Sequence, residues 1–155
     1  QWERLRLIII GEGPLKPQLI AMAKRLGIAS KVSFPGAIPR AARYLPALDV
    51  CCLTSYTEGM PNLIMEAAGA GVPVVSTRCG DTPELIMDGI SGYLVSPDDD
   101  LSMANHLSSL LTSAEQRRCM GKAARERMRR DFGIQSMVTQ MTRVYEESLA
   151  AKGLN

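Results

Sequence analysis

Short apolar runs rich in β-branched residues alternate with helix-forming segments along the chain, and this alternation constrains the fold more than any other feature. Five runs have the composition of strands: residues 4–10, 31–34, 48–53, 72–77 and 93–95. Each run leads into a turn with glycine or proline and then into a helical segment. Strands and helices that alternate in this way form parallel sheets with helices on both faces. The pattern therefore predicts an α/β fold, a three-layer Rossmann-like domain with a parallel sheet of about five to six strands flanked by helices.

The loops that follow the strands indicate where a ligand would bind. In folds of this class, ligands bind at the carboxyl ends of the parallel strands. Four such loops carry glycines or a glutamate: the loop with Gly11 and Gly13, the turn at Gly36, the loop with Glu58 and the loop with Gly80. We expect these loops to gather on one edge of the sheet. The Gly11–Gly13 pair is not a dinucleotide fingerprint, because Lys16 stands where the third glycine belongs.

The most informative stretch is residues 54–75, which read TSYTEGMPNLIMEAAGAGVPVV. Pro61 suits the first position of a helix, and Gly71 suits its C-terminal end. Glu58 then lies in the loop before this helix, and Glu66 lies about one and a half turns inside it. The unpaired amides of the helix start fall between them, at the positive end of the helix dipole. This arrangement favours an anionic or phosphorylated ligand whose hydroxyls are held by carboxylates. On spacing alone, a plain loop glutamate and a solvated helix glutamate remain the alternative.

Composition excludes several classes of protein. The chain has 155 residues and a formal net charge of +2, without a basic run interleaved with aromatics, so no nucleic-acid partner is expected. No apolar segment approaches the ~20 residues of a membrane span. The four cysteines lack metal-ligand spacing and are interpreted as reduced and structural, which favours a cytoplasmic location. Residues 1–155 are predicted to form a single domain, and no metal site is predicted.

Three motifs together resemble a known family. They are EGMPNLIMEA, AGVPVV and CGDTPELIMDGISGYLV, and the resemblance extends from Leu5 to about Leu149. The chain resembles the C-terminal, nucleotide-sugar-binding half of the retaining GT-B glycosyltransferases of family 4, also called group 1. The resemblance implies transfer of a hexose from a nucleotide diphosphate sugar to an acceptor hydroxyl, with retention at the anomeric carbon. It also implies that the leaving phosphate helps to deprotonate the acceptor, and that no metal or other cofactor takes part.

The same resemblance implies roles for individual residues. Glu58 would be catalytic, contacting the hexose near the bond being broken, and Glu66 would hold the ribose. The backbone groups that would serve the sugar oxygens or the phosphate belong to Gly59, Met60, Asn62 and Leu63, those near the nucleobase belong to Gly36, Ala37 and Ile38, and the loop of Gly11 and Gly13 would lie beside the nucleotide. Pro61 departs from family members that have glycine there, so Asn62 and Leu63 must supply the donors. A plain turn between strand and helix remains the alternative for residues 36–38.

Two features of the family are not found in the sequence. Members carry an arginine and a lysine for the diphosphate upstream of the first strand seen here, and a separate N-terminal acceptor-binding domain. We therefore expect the chain to be the donor half of a two-domain enzyme and to be inactive alone. The alternatives are a non-catalytic nucleotide-sugar-binding module and a GT-B sugar-nucleotide epimerase, for which the single histidine, His106, offers little support. The basic run RERMRR leaves open a peripheral membrane association of the full-length enzyme.

Other polar residues have simpler explanations. Asp98, Asp99 and Asp100 are expected to cap a helix rather than bind metal, and His106 is expected to be solvated. Glu84 is expected either to lie in the favoured first turn of a helix or to contact the ligand.

Overall fold

The computed structural model describes residues 2–153 and has the expected α/β architecture. In this part of the chain, five strands and six helices follow one another. The strands are β1 (Leu7–Ile10), β2 (Val32–Gly36), β3 (Cys51–Leu53), β4 (Val74–Thr77) and β5 (Gly92–Val95). The helices are α1 (Lys16–Arg25), α2 (Asn62–Ala70), α3 (Thr82–Leu85), α4 (Asp100–Thr112), α5 (Ala114–Asp131) and α6 (Ile134–Ala151). Short 3-10 helices cover Ala29–Lys31 and Ala41–Ala47. Every strand that the sequence predicts is present, with ends that differ by a few residues.

The chain divides into two compact units, Gln1–Ala41 and Ala42–Asn155. All strand pairs are parallel, and they form two sheets, of order β1-β2 and β3-β4-β5. The five strands of residues 2–153 agree with the predicted number and parallel direction, and their hydrogen bonds divide them into a pair and a group of three. A strand's own residues favour an extended backbone but do not select its neighbour, because pairing depends on contacts distant in sequence. The description of residues 1–155 as a single domain stays a prediction.

The first unit is a small β1-α1-β2 element. β1 and β2 run in register from Leu7–Val32 to Ile10–Gly36, with an irregularity between Ile8 and Ile10. Gly27, at φ +69°, lies just beyond the end of α1, where its left-handed backbone reverses the chain towards β2. Ala23 is the one buried residue of α1.

The second unit has three layers. All four residues of the central strand β4 are buried, and its neighbours β3 and β5 pair with it on either side. Side chains alternate across a strand, so Val74 and Val75 point to opposite faces. Val74 packs in a core with α2 and the C-terminal half of α5, whereas Val75 packs with Leu110 of α4 and Met120 of α5. The predicted layering of helices on both faces of a parallel sheet is therefore confirmed here.

A close contact between two glycines sets the position of α2. Gly71 ends α2 with φ +80°, a left-handed conformation that suits glycine. On α5, a Cβ at Gly121 would lie 2.0 Å from the carbonyl oxygen of Gly71. Only glycine therefore allows α5 to approach the end of α2 so closely, and this contact fixes the helix that carries Glu66.

Two helices of the second unit, α4 and α6, carry exposed apolar side chains at helical spacing. On α4, Leu101 is 72% exposed, and Leu110 is buried with Met103 and Leu107 packed beside it. On α6, four apolar side chains are exposed: Met137, Met141, Val144 and Leu149. Periodicity defines such a face but does not determine what covers it. Within residues 2–153, no helix combines the length and the apolar character needed to cross a membrane.

Candidate functional site

In the first unit, two of the expected loops meet at the ends of their strands. The N–H of Gly11 donates to the carbonyl of Gly36 at 2.9 Å, which joins the ends of β1 and β2. Gly11 and Gly36 have φ values of +128° and +81°, which L side chains rarely adopt. Beside them lies a cleft of about 270 Å³ whose lining includes Gly11, Gly13 and Phe34. This volume lies just below the usual range for small-molecule sites.

The turn at Gly36 lies under an ion pair. Glu12 accepts a hydrogen bond from Lys16 Nζ at 2.8 Å, and a Cβ at Gly36 would lie 2.2 Å from the same Glu12 oxygen. Gly36 is buried, Ala37 is exposed and Ile38 is half-buried. The turn is therefore accessible at Ala37, where the resemblance predicts contact with a base.

In the second unit, the loop between β3 and α2 carries Glu58. Ser55 Oγ donates to Glu58 Oε1 at 2.7 Å, and both side chains are half-buried. The hydrogen bond holds one carboxylate oxygen, while the other has no hydrogen-bond partner within residues 2–153. An ionised carboxylate accepts several hydrogen bonds, so Glu58 has capacity left for hydroxyls of a ligand.

The start of α2 presents free backbone donors beside this glutamate. Pro61 is the N-cap residue, buried and extended at φ −72° and ψ 114°, and the helix begins at Asn62. Pro61 thus lies one position earlier than the sequence predicts, a shift within the usual uncertainty of helix ends. Throughout the described chain, no side chain caps this helix start, so the amides of Asn62 and Leu63 stay available to a ligand.

Glu66 lies on the first turns of the same helix. It is exposed, and at the helical rise of 1.5 Å per residue it lies about 6 Å along the axis from Asn62. The two glutamates and the helix start therefore belong to one loop and helix, as the spacing predicts. Their arrangement can place two carboxylates on either side of an anion that is bound by backbone amides.

A second loop lies directly against the Glu58 loop. It follows β4 and contains Gly80, at φ +49°, where a Cβ would lie 1.8 Å from the carbonyl oxygen of Glu58. The N–H of Asp81 donates to the carbonyl of Gly59 at 3.1 Å. The Glu58 and Gly80 loops therefore share one edge of the three-stranded sheet, as expected from the order of the strands.

Some contacts at this edge are not predicted by the sequence analysis. Thr77 Oγ1 donates to the carbonyl of Ser55, and the Tyr56 hydroxyl donates to Asp98. The hydrogen bond to Asp98 is the main reason that the pKa of Tyr56 is raised. The spacing of Ser55 and Glu58, three residues apart, is the one sequence signal that could have suggested their pairing.

The remaining predictions for polar residues have mixed outcomes. Asp99 accepts from the N–H of Ser102 at 3.0 Å as the N-cap of α4, which confirms its capping role and lowers its pKa. Glu84 lies in the first turn of α3, as predicted. His106 is half-buried and stacks on Tyr93 with ring centroids 4.0 Å apart, so the expectation of a solvated side chain was wrong.

The cysteines are free, and three of them are at least half-buried. Cys51 and Cys79 are buried and Cys52 is half-buried. Desolvation raises the pKa of Cys51 to about 11, with a smaller contribution from its neighbour Cys52. Cys119 is exposed on α5, so the prediction of a structural role was wrong for that residue.

Residues 1–113 match the family of group 1 glycosyl transferases. The chain belongs to this family. It is 33% identical over 144 residues to the N-acetyl-alpha-D-glucosaminyl L-malate synthase of Bacillus anthracis, covering 93% of this chain and 38% of that enzyme. It is 35% identical over 130 residues to a GDP-mannose-dependent alpha-(1-6)-phosphatidylinositol monomannoside mannosyltransferase of Mycolicibacterium smegmatis, covering 77% of this chain and 34% of that enzyme.

Solved structures of group 1 glycosyl transferases have the same fold. The C-terminal domain of a group 1 family protein (LpcC) from Francisella tularensis superposes with a TM-score of 0.77 at 26% identity, covering 83% of this chain and 70% of that chain. This likeness confirms that the chain corresponds to a C-terminal part of a GT-B glycosyltransferase. The chain spans little more than a third of the length of the two curated relatives described above. The roles of Glu58, Glu66 and the glycine loops stay predictions.

Proposed function

We propose that this chain binds the donor substrate of a hexosyltransferase, which transfers a hexose with retention from a nucleotide diphosphate sugar to an acceptor hydroxyl. The observation that carries the proposal is the start of α2. There the unpaired amides of Asn62 and Leu63 lie between Glu58, whose carboxylate accepts a hydrogen bond from Ser55, and the exposed Glu66. Support comes from the family and from a relative whose name states dependence on GDP-mannose.

In this proposal each part of the donor has its own partner. Glu66 accepts hydrogen bonds from the two ribose hydroxyls, because a carboxylate can accept from both members of a vicinal diol. The amides of Asn62 and Leu63 bind a phosphate oxygen, aided by the dipole of α2. Glu58 binds hexose hydroxyls through its free oxygen, with the backbone of Gly59 and Met60 beside it.

The chain's contribution to catalysis would be electrostatic. As the bond from the anomeric carbon to the phosphate breaks, negative charge grows on the diphosphate, and amides already oriented towards it stabilise that charge. Glu58, near the anomeric carbon, would stabilise the positive charge that develops on the sugar ring. No covalent step on a side chain of this chain is needed. The curated relatives are more than twice as long, so we expect the isolated chain to bind the donor without transferring the sugar.

The ribose assignment is tested by a thermodynamic cycle. Calorimetric titration with UDP, GDP and ADP first identifies the base that binds. Glu66→Ala should then weaken binding by about 2 kcal/mol, or roughly thirtyfold. The 2′-deoxy form of the same nucleotide should bind the wild-type chain more weakly, and it should lose less affinity than the ribose form on Glu66→Ala, since only the hydrogen bond from the 3′-hydroxyl remains to be lost.

Two controls accompany this experiment. Glu115→Ala removes an exposed carboxylate from the first turn of α5 and matches the change in charge, so it should leave affinity unchanged. Equal losses for ribose and deoxyribose ligands on Glu66→Ala would refute the ribose role. Saturable binding of none of the three nucleotides would refute donor binding by this chain.

A further inference from the structure

Three contacts to backbone carbonyls of the Glu58 loop come from β4 and from the loop that follows β4. Thr77 Oγ1 donates to the carbonyl of Ser55 at 2.5 Å, at the start of the Glu58 loop. The N–H of Asp81 donates to the carbonyl of Gly59 at 3.1 Å, just after Glu58. Between them the backbone of Gly80 packs against the carbonyl of Glu58, in space that a side chain would fill. The backbone on both sides of Glu58 is therefore held by the end of the central strand.

Thr77 is itself fixed by its surroundings. It is the last residue of β4, only 7% exposed, and its own carbonyl accepts from the hydroxyl of buried Thr82 at 3.0 Å. The hydroxyl of Thr82 in turn accepts from the N–H of Cys79 at 3.0 Å. A buried hydroxyl keeps its hydrogen-bond partner because breaking the bond would leave an unpaired polar group. The contact from Thr77 to Ser55 thus starts from a rigid part of the sheet.

Ser55 continues this connection to the carboxylate. Its carbonyl is held by Thr77, and its hydroxyl donates to Glu58 Oε1 at 2.7 Å. A glutamate side chain on a loop samples several rotamers when it has no partner, and each rotamer places the carboxylate elsewhere. The hydrogen bond selects one of them, and it engages only one of the two oxygens.

We infer that Ser55 and Thr77 are positioning residues that orient the Glu58 carboxylate towards the hexose. Thr77 fixes the backbone of Ser55, and the Ser55 hydroxyl fixes the side chain of Glu58, which leaves Oε2 to the sugar hydroxyls. The inference rests on the proposed function, since that proposal assigns Glu58 to the hexose. Ser55 and Thr77 do not contact the donor in this proposal, and they affect only the binding of its hexose.

The first test compares two ligands, the nucleoside diphosphate that binds and its hexose conjugate. Ser55→Ala should weaken binding of the conjugate about tenfold and leave binding of the nucleoside diphosphate unchanged. Thr77→Val removes the hydroxyl at nearly constant volume and should have the same selective effect. Thr77→Ser restores the hydroxyl and should restore the affinity. Equal weakening of both ligands in Ser55→Ala would overturn the inference, because it would indicate a general distortion.

The second test needs no ligand. Scalar couplings in NMR spectra should show one χ1 rotamer for Glu58 in the wild-type chain and averaged rotamers in Ser55→Ala. In Thr77→Val the Asp81 amide should also exchange faster with solvent, since its bond to Gly59 depends on the same loop. Unchanged Glu58 couplings in both variants would overturn the inference. If the wild-type chain binds no nucleotide, the proposed function fails, while these couplings still decide whether Ser55 and Thr77 position Glu58.

Discussion

Replacing Gly80 by alanine tests whether the loop after β4 supports Glu58 as closely as the structure indicates. A Cβ at this position would lie 1.8 Å from the carbonyl oxygen of Glu58, whereas ordinary van der Waals contact begins at 3.4 Å. One of the two loops would therefore have to move by about 1.6 Å. Gly80 also has φ +49°, which costs an alanine about 1–2 kcal/mol. Overpacking adds about 1–3 kcal/mol, so Gly80→Ala should destabilise the second unit by about 2–5 kcal/mol.

A matched glycine separates the two contributions. Gly89 has φ +75°, but nothing lies within 4 Å of a Cβ added there. Gly89→Ala should therefore cost only the backbone penalty, about 1–2 kcal/mol. The entropy that alanine removes from the unfolded chain is common to both variants and cancels in their difference. The difference, about 1–3 kcal/mol, measures the close approach of Gly80 to Glu58.

The assay is urea unfolding followed by far-ultraviolet circular dichroism. Five of the six helices lie in the second unit, so this signal reports mainly on it. Because a domain is stable by only about 5–15 kcal/mol, the expected loss is a large shift of the midpoint. Equal destabilisation by Gly80→Ala and Gly89→Ala would refute the reasoning, since it would mean that the two loops are not in contact at this point.

Three further predictions concern the second unit. Gly121→Ala should destabilise it by about 1–3 kcal/mol in urea unfolding, because the new Cβ would lie 2.0 Å from the carbonyl of Gly71. Gly69 is exposed on α2, and nothing lies within 4 Å of a Cβ added there, so Gly69→Ala should instead stabilise the unit by up to about 1 kcal/mol. If Gly69→Ala were the more destabilising of the two variants, the result would be inconsistent with the packing of α2 on α5. Exposed Cys119 should react with a thiol reagent in the native chain near pH 8, while Cys51, with its pKa raised to about 11, should not react below about pH 10. The folded state therefore keeps the Cys51 proton at a pH where the unfolded state loses it, so the contribution of Cys51 to stability should fall as pH rises from 9.0 towards 11. A rise in stability over that range would contradict burial as the cause of the raised pKa.

The features that could be predicted from sequence are those with a local physical cause. Gly71 ends α2 because glycine adopts the left-handed conformation needed there, and Asp99 caps α4 through its own side chain. The run that becomes β4 is β-branched and apolar, and all its residues are buried. The position of Glu58 before α2 and of Glu66 within it follows from the helix boundaries alone.

The features that could not be predicted depend on contacts between segments distant in sequence. The division of the five described strands into a pair and a group of three could not be predicted, because strand pairing depends on tertiary contacts. The side chain of Glu58 is held by Ser55 in a loop whose backbone depends on Thr77 and Gly80, about twenty residues further along. Loop conformations of this kind are set by the surfaces they pack on rather than by their own sequence.

The measurement that most directly tests the central claim is an NMR titration of the chain with the nucleotide that binds and then with its hexose conjugate. We expect saturable shifts at the amides of Asn62, Leu63 and Glu66 with the nucleoside diphosphate. Further shifts around Glu58 and Gly59 should appear only with the conjugate. Saturable binding that leaves the start of α2 unshifted would contradict the account, because the donor would then bind elsewhere on the chain.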